Sequence, residues 1–191
     1  NHAQWVLEQN KRKWLIELVT QTKFDCIASR GNIYEAYQHF FDAKALTIAL
    51  PTKQSLNVLI LPTSRQTFKD IPNEVVADLM QSLPLQGHMV NAAYFKAIPD
   101  RVVKPILSAG VNPNDKLLAY HSFTELIQLI LAADYIFAPD SLTAHLAYFF
   151  QKPHSILHSP RAIPQFLTPF VLDNHCFYSF ENSLSFVNIA H

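Results

Sequence analysis

Glycine is nearly missing from this chain, with Gly31, Gly87 and Gly110 the only three among 191 residues. Phosphate loops built on clustered glycines need several of them where the backbone must approach the phosphate closely. The dinucleotide fingerprint and the Walker loop are therefore both excluded. Cysteine is as scarce: Cys26 and Cys176 lie far apart with no other thiols, which gives no disulfide framework and points to buried free thiols in a reducing compartment. Charged residues make up only 16% of the chain, with 15 Lys and Arg against 15 Asp and Glu. No broad basic face results, so a nucleic-acid partner is not expected, while a local basic pocket remains open. No apolar run reaches the ~18 residues of a membrane helix, because Glu125 and Asp134 interrupt the longest stretch. No secretory leader is recognisable, and the chain opens on Asn1-His2-Ala3. The expectation is a soluble, cytoplasmic globular protein. Gly-x-Ser-x-Gly and His-Glu-x-x-His are also missing, which leaves the common hydrolase and zinc-protease sites without a basis.

What the chain does contain is alternation. Hydrophobic residues make up 49% of it, enough for a sizeable core, and short β-type runs alternate with helical patterns, the signature of an α/β fold with a mainly parallel sheet. Helices are expected over 5–21, 33–41, 74–83, 100–109 (the weaker, because of Pro105), 123–133 and 141–150. Strands are expected over 24–29, 45–50, 57–61, 88–95, 116–120, 135–138 and 155–158. Asn57–Leu61 is a continuous apolar run of buried-strand type. Ser122-Phe-Thr-Glu125 is a capping-box pattern ahead of an apolar helix. The Pro- and Phe-rich tail from 160 onward carries no pattern that assigns it. The polar stretch 51–55 is the best linker, dividing the chain into a partial N-terminal segment, 1–52, and a main domain, 53–191.

Two loops stand out as places where chemistry could reside. In Ala138-Pro-Asp140-Ser141-Leu-Thr143-Ala-His145 a strand ends and a helix begins, with Asp140 and Ser141 both suited to cap it. Ligands of open parallel sheets bind beyond the carboxyl ends of the strands, where helix starts offer N–H groups and a positive dipole end that suit a diphosphate. Leu142, Leu146 and Phe149 would pack on the sheet, and Ser141, His145 and Tyr148 would rise together beside the anion. The same residues also suit a plain structural cap with a satisfied histidine. The second loop, Pro62 to Pro72, carries Ser64, Arg65, Thr67 and Lys69. Two cations and several hydroxyls there suit a diphosphate clamp, and equally a solvated loop. Loss of Lys69 would then weaken diphosphate binding with folding nearly unchanged, while loss of Asp140 would harm both. His154 and His158 could share a strand face, but a zinc site lacks a third ligand, so no metal is expected.

These segments resemble the ADP-heptose:lipopolysaccharide heptosyltransferases. Asp140-Ser141-Leu-Thr-Ala-His145-Leu-Ala147 is similar to that family's Asp-(Ser/Thr)-Gly-x-x-His-Leu-Ala. Leu61-Pro62 with Lys69-Asp-Ile-Pro72 is similar to its Pro-Gly…Lys-x-Trp-Pro loop, and Phe24-Asp25-Cys-Ile-Ala-Ser-Arg30-Gly31-Asn32 to its Phe-Asp-x-x-x-Asp-x-(Arg/Gln)-Gly-Asn. Leu142 stands where the pattern has glycine, and Ile71 where it has tryptophan. The three motifs keep the family order. The resemblance implies the donor-binding domain of a GT-B fold, a Rossmann-like and mainly parallel sheet, with part of an N-terminal acceptor-side domain.

It further implies an inverting, metal-independent glycosyltransferase that moves a sugar, heptose foremost, from a nucleotide-diphosphate donor to an acceptor of lipopolysaccharide-core type. Lys69 would contact the donor phosphate. Asp140, Ser141 and Thr143 would line the diphosphate and sugar site, with His145 supporting the turn. Ser64 and Arg65 join this donor set on physical grounds alone. The catalytic base, which the resemblance places in an N-terminal segment, has no counterpart ahead of Asn32, so no catalytic residue is assigned and the chain reads as a truncated or divergent member. The expected partners are an ADP-linked sugar and a glycolipid or oligosaccharide acceptor, with no cofactor beyond the donor. The expected location is cytoplasmic, with the inner face of the inner membrane open to it: Trp5, Lys11, Arg12, Lys13 and Trp14 could touch an anionic surface, though a solvated helix face is the plainer reading of them. Two alternatives remain at this point: a non-catalytic nucleotide-sugar-binding protein, and a nucleotide-sugar epimerase of similar architecture.

Overall fold

The computed structural model describes Tyr34 and residues 46–97, 102–103, 117–159 and 167–180. Two compact units divide the chain, Asn1–Ala45 and Leu46–His191, and all described residues except Tyr34 belong to the second. The elements expected over 5–21, 24–29 and 33–41, the motif at 24–32 and the basic cluster near Trp5 therefore lie outside the described residues, Tyr34 apart. So does most of the helix expected over 100–109.

The second unit is built on six strands: β1 (Asn57–Ile60), β2 (Met89–Phe95), β3 (Leu117–Tyr120), β4 (Tyr135–Pro139), β5 (His154–His158) and β6 (Phe177–Ser179). All are parallel, in the order β3-β2-β1-β4-β5-β6, which is the order of a doubly wound, Rossmann-like sheet. The expected fold class is the one observed. Among the described residues the α-helices are α1 (Asn73–Leu85), α2 (Phe123–Ala132), α3 (Leu142–Phe149) and α4 (Pro169–Asp173). No helix among the described residues is long and apolar enough to cross a membrane.

Strand alternation sorts the core into two layers. Val58, Ile60, Val90, Ala92, Tyr135, Phe137 and Leu157 pack with Val75, Val76, Leu79, Met80 and Leu83 of α1 in one cluster. Full burial of each Val, Leu, Ile, Met or Phe side chain among them stabilises by roughly 1.5–3 kcal/mol. The alternate residues Ile136, Ala138 and Ile156 turn to the opposite face and are also fully buried. That face carries α3, which packs on β4 and β5.

Caps set the helix ends. The Ser122 hydroxyl accepts from the Glu125 N–H at 3.2 Å, as expected. The Glu125 carboxylate reaches one residue further back than a standard box, accepting from the His121 N–H at 2.8 Å. At the end of α1 the His88 N–H bonds the Leu83 carbonyl and the Gly87 N–H bonds that of Pro84. This closes a Schellman turn in which Gly87 takes φ 86°. At the opposite edge from the strand tips, the Asp134 carboxylate accepts from the Asn57 N–H at 3.0 Å and from Lys53 Nζ at 2.7 Å, joining the starts of β1 and β4.

Two expectations need correction. Residues 46–50 form no strand; they alternate between partial and full exposure and find no edge in the six-stranded sheet. On α3 the faces are reversed. Leu142 and Phe149 are 58% and 69% exposed, while Thr143, Ala144, Ala147 and Tyr148 are buried. A helix pressed closely onto strands places its small residues at the contact, and bulk turns outward. Tyr148 accordingly points to the core rather than rising beside His145. The tail, unassigned from sequence alone, holds α4 and β6. Because Ala147 is fully buried under β4 and β5, Ala147→Leu should destabilise by about 1–3 kcal/mol through overpacking. An unchanged urea midpoint would show that α3 has room to move.

Candidate functional site

The sheet order reverses between β1 and β4, since the chain proceeds outward to β2 and β3 on one side and to β5 and β6 on the other. Loops diverge at such a point and leave a crevice beyond the carboxyl ends of the two strands. The two loops singled out in the sequence follow β1 and β4, and so meet there.

The loop after β1 is a closed unit. Ile71 N–H bonds the Pro62 carbonyl at 2.9 Å. Inside, the Asp70 carboxylate accepts from the Ser64 N–H at 2.8 Å. The Ser64 hydroxyl donates to the Gln66 carbonyl at 2.7 Å and accepts from the Gln66 N–H at 3.0 Å. Ile71 is 2% exposed and anchors the loop in the core. A single 3₁₀ turn, Thr67–Lys69, then delivers Lys69 at its end.

Lys69 reaches across to the second loop. Its Nζ donates to Asp140 Oδ2 at 2.9 Å and to the Asp140 carbonyl at 3.1 Å. The side chains are 22% and 6% exposed, so the ion pair is largely withdrawn from water. The other carboxylate oxygen of Asp140, Oδ1, is buried with no hydrogen-bond partner. Asp140 therefore does not cap α3, contrary to the sequence expectation. Its carboxylate turns to the cation instead. Ser141 occupies the cap position in an extended conformation but makes no capping bond; its hydroxyl lies 2.9 Å from that of Thr143. The start of α3 thus carries no side-chain cap, and its dipole end faces the crevice.

His145 is half-buried in the first turns of α3. Burial lowers its pKa, Asp140 opposes that, and Lys69 adds to it. The ring lies within electrostatic reach of the ion pair and is neutral at pH 7. A shallow depression is lined by Lys69, Asp140, Leu157, His158 and Ser159. His158 and Ser159, at the carboxyl end of β5, were not among the expected site residues. Their signal would have been the sheet order, which puts the tip of β5 beside that of β4.

The residues expected in the site divide into three groups. Lys69 and Asp140 are brought into contact from 71 positions apart, with Ser141, Thr143 and His145 on the adjoining turn. Ser64 supports the loop from within and spends its hydroxyl on Gln66. Arg65 is exposed and lies outside the lining of the depression. His154 is fully buried, with Nδ1 2.8 Å from the Lys152 carbonyl and Nε2 2.7 Å from the Thr168 hydroxyl, so both nitrogens are engaged within the fold. No group of three or more metal-ligating side chains occurs among the described residues.

A helix start without a side-chain cap, the Lys69 ammonium and the neighbouring Ser141 and Thr143 hydroxyls, beside a topological switch point, are groups that can hold a diphosphate. The sequence matches the profile of glycosyltransferase family 9 (heptosyltransferase) over residues 17–179. The chain belongs to that family. Solved heptosyltransferases resemble it in structure. E. coli ADP-heptose lps heptosyltransferase II is 20% identical, with 78% of this chain and 44% of that one covered at a TM-score of 0.48. E. coli heptosyltransferase WaaC with ADP is 14% identical, covering 85% and 52% at 0.48. The same enzyme with ADP-2-deoxy-2-fluoro heptose is 16% identical, covering 71% and 40% at 0.46. No curated protein matches the sequence. This heptosyltransferase-family chain spans 40–52% of the length of the three solved chains, and its family assignment rests on the profile match.

Proposed function

We propose that the second unit of this chain is the donor-binding part of a glycosyltransferase. The donor is an ADP-linked sugar, heptose foremost, and the acceptor a glycolipid of lipopolysaccharide-core type reached at the inner face of the inner membrane. That unit begins at Leu46, a few residues ahead of the 52/53 boundary expected from the sequence, and what precedes it belongs to an acceptor-side segment. A base removes the proton of the acceptor hydroxyl. The resulting oxygen attacks the anomeric carbon from the face opposite the diphosphate. The carbon–oxygen bond to the diphosphate breaks, and its electron pair leaves with the phosphate, so the anomeric centre inverts. Lys69 and the uncapped start of α3 stabilise the charge growing on that leaving group, in place of a metal ion. Ser141, Thr143 and His145 line and support the turn that holds the diphosphate.

The observation that carries this reading is the ammonium of Lys69, 2.9 Å from the Asp140 carboxylate at the crevice between β1 and β4. Asp140 keeps the cation in place until the diphosphate draws it away. The test isolates Lys69 from its structural partner. ADP affinity is measured by calorimetry for Asp140→Asn and for Asp140→Asn combined with Lys69→Ala. The second should bind more weakly by about 1.5–3 kcal/mol, the contribution of a charge-assisted contact. Equal affinity in the two proteins would remove Lys69 from the diphosphate site.

A further inference from the structure

We infer that His158 reads the sugar of the donor by accepting a hydrogen bond from one of its hydroxyls. The inference rests on the donor-site reading above and names a residue that the resemblance did not supply.

His158 is the last residue of β5, and its ring Nδ1 lies 2.9 Å from the carbonyl oxygen of Ser159. A carbonyl oxygen can only accept, so Nδ1 carries the proton. In the neutral ring Nε2 is then bare and acts as an acceptor. The depression that His158 lines is shared with Lys69, Asp140, Leu157 and Ser159. Its cation is already directed at the Asp140 carboxylate, and Oδ1 of that carboxylate is a buried acceptor without a partner. Lys69 supplies what an anion needs, but beyond Lys69 the wall is rich in acceptors. The matching ligand is anionic at one end and carries hydroxyl donors at the other. A sugar joined to a diphosphate is such a molecule; the ribose of ADP carries hydroxyls as well, so the comparison of ADP with ADP-heptose decides which end of the donor His158 meets.

The sheet fixes the distance relation. β4 and β5 are paired with Ala138 opposite Ile156 and Pro139 opposite Leu157, so the residues that follow, Asp140 and His158, emerge side by side. A ligand phosphate held at Lys69 and the start of α3 therefore has the tip of β5 beside it, in reach of the group it carries on that side. Leu157 offers an apolar floor there, and His158 a directional acceptor.

The test compares ADP with ADP-heptose as calorimetric ligands of the full chain and of His158→Ala and His158→Gln, the latter keeping an acceptor. His158 is only half-buried, and thermal melts without ligand check that both variants remain folded. The expected result is that His158→Ala leaves ADP affinity within about twofold and weakens ADP-heptose by about five- to tenfold, the size of one neutral hydrogen bond. His158→Gln should recover part of the loss. If the wild-type chain binds both ligands and His158→Ala weakens neither or both equally, the role of His158 is overturned and the donor site stands. If the wild-type chain binds neither ligand, the donor-site reading itself is overturned, and this inference with it.

Discussion

Lys69→Ala should lower the stability of the folded chain by about 2–4 kcal/mol, and adding Asp140→Asn should recover most of that loss. The expected cost approaches that of breaking a buried ion pair, about 3–5 kcal/mol, and is reduced because the lysine keeps some contact with water. The asymmetry between the partners decides the direction. Asp140 is 6% exposed and Lys69 22%. Removing the lysine leaves a carboxylate in a dry place with its second oxygen already unpartnered. Removing the aspartate instead leaves an ammonium that can turn towards solvent, at smaller cost. On sequence alone the order of the two effects was the reverse, with Lys69 a dispensable loop cation and Asp140 a helix cap. Urea denaturation at pH 7.5 of the two single variants and the double variant forms the required cycle. If Lys69→Ala unfolds at the wild-type urea concentration, or if Asp140→Asn makes it worse, the pair is not holding the two loops together.

That reversal marks where the sequence was legible. β1 and β4 could be read because a strand buried on both faces is an uninterrupted apolar run, and Asn57–Leu61 and Tyr135–Ala138 are such runs. The start of α2 could be read because capping is local chemistry, fixed by residues three apart. The family could be read from motifs whose residue types the donor chemistry would require. The partner of Asp140 could not, because Lys69 lies 71 positions away and only the sheet order brings the two loops to one crevice. The inward face of α3 was misjudged for a related reason. Size and hydrophobicity favoured Leu142 and Phe149, whereas close packing on β4 and β5 selects Ala144 and Ala147. α4 and β6, of five and three residues, are too short for periodicity to show. A cap signal was nevertheless present in Thr168-Pro169: the Thr168 hydroxyl accepts from the Val171 N–H, and proline takes the first helical position.

Between pH 6.5 and 4 the chain should lose on the order of 3 kcal/mol of stability through His154 alone. The ring is fully buried and stacked on Phe170 with centroids 5.2 Å apart. Its Nδ1–H donates to the Lys152 carbonyl, and Nε2 accepts from the Thr168 hydroxyl. Both contacts suit the neutral ring. Burial is the main cause that lowers the pKa from 6.5 to about 4, opposed by the bond to Lys152 and assisted by nearby His145. The sign follows from proton counting. Over this window the unfolded chain binds a proton at His154 and the folded chain does not, so acid favours unfolding. Stability from this group is complete above about pH 6.5 and falls by about 1.4 kcal/mol per pH unit towards 4. Protonation also strikes at the site, since β5 leads from His154 directly to His158, and Thr168 caps the helix that covers it. Burial lowers the pKa of His145 too, so the absolute slope mixes the two groups. The measurement is therefore a difference: urea unfolding of the wild-type chain and of His154→Gln at pH 7.5, 6.0 and 4.5. Glutamine does not titrate, and its curve should be flatter by about 2 kcal/mol or more across that span. Parallel curves would mean that His154 takes up its proton without unfolding the strand, and that the pocket between β5 and α4 admits charge.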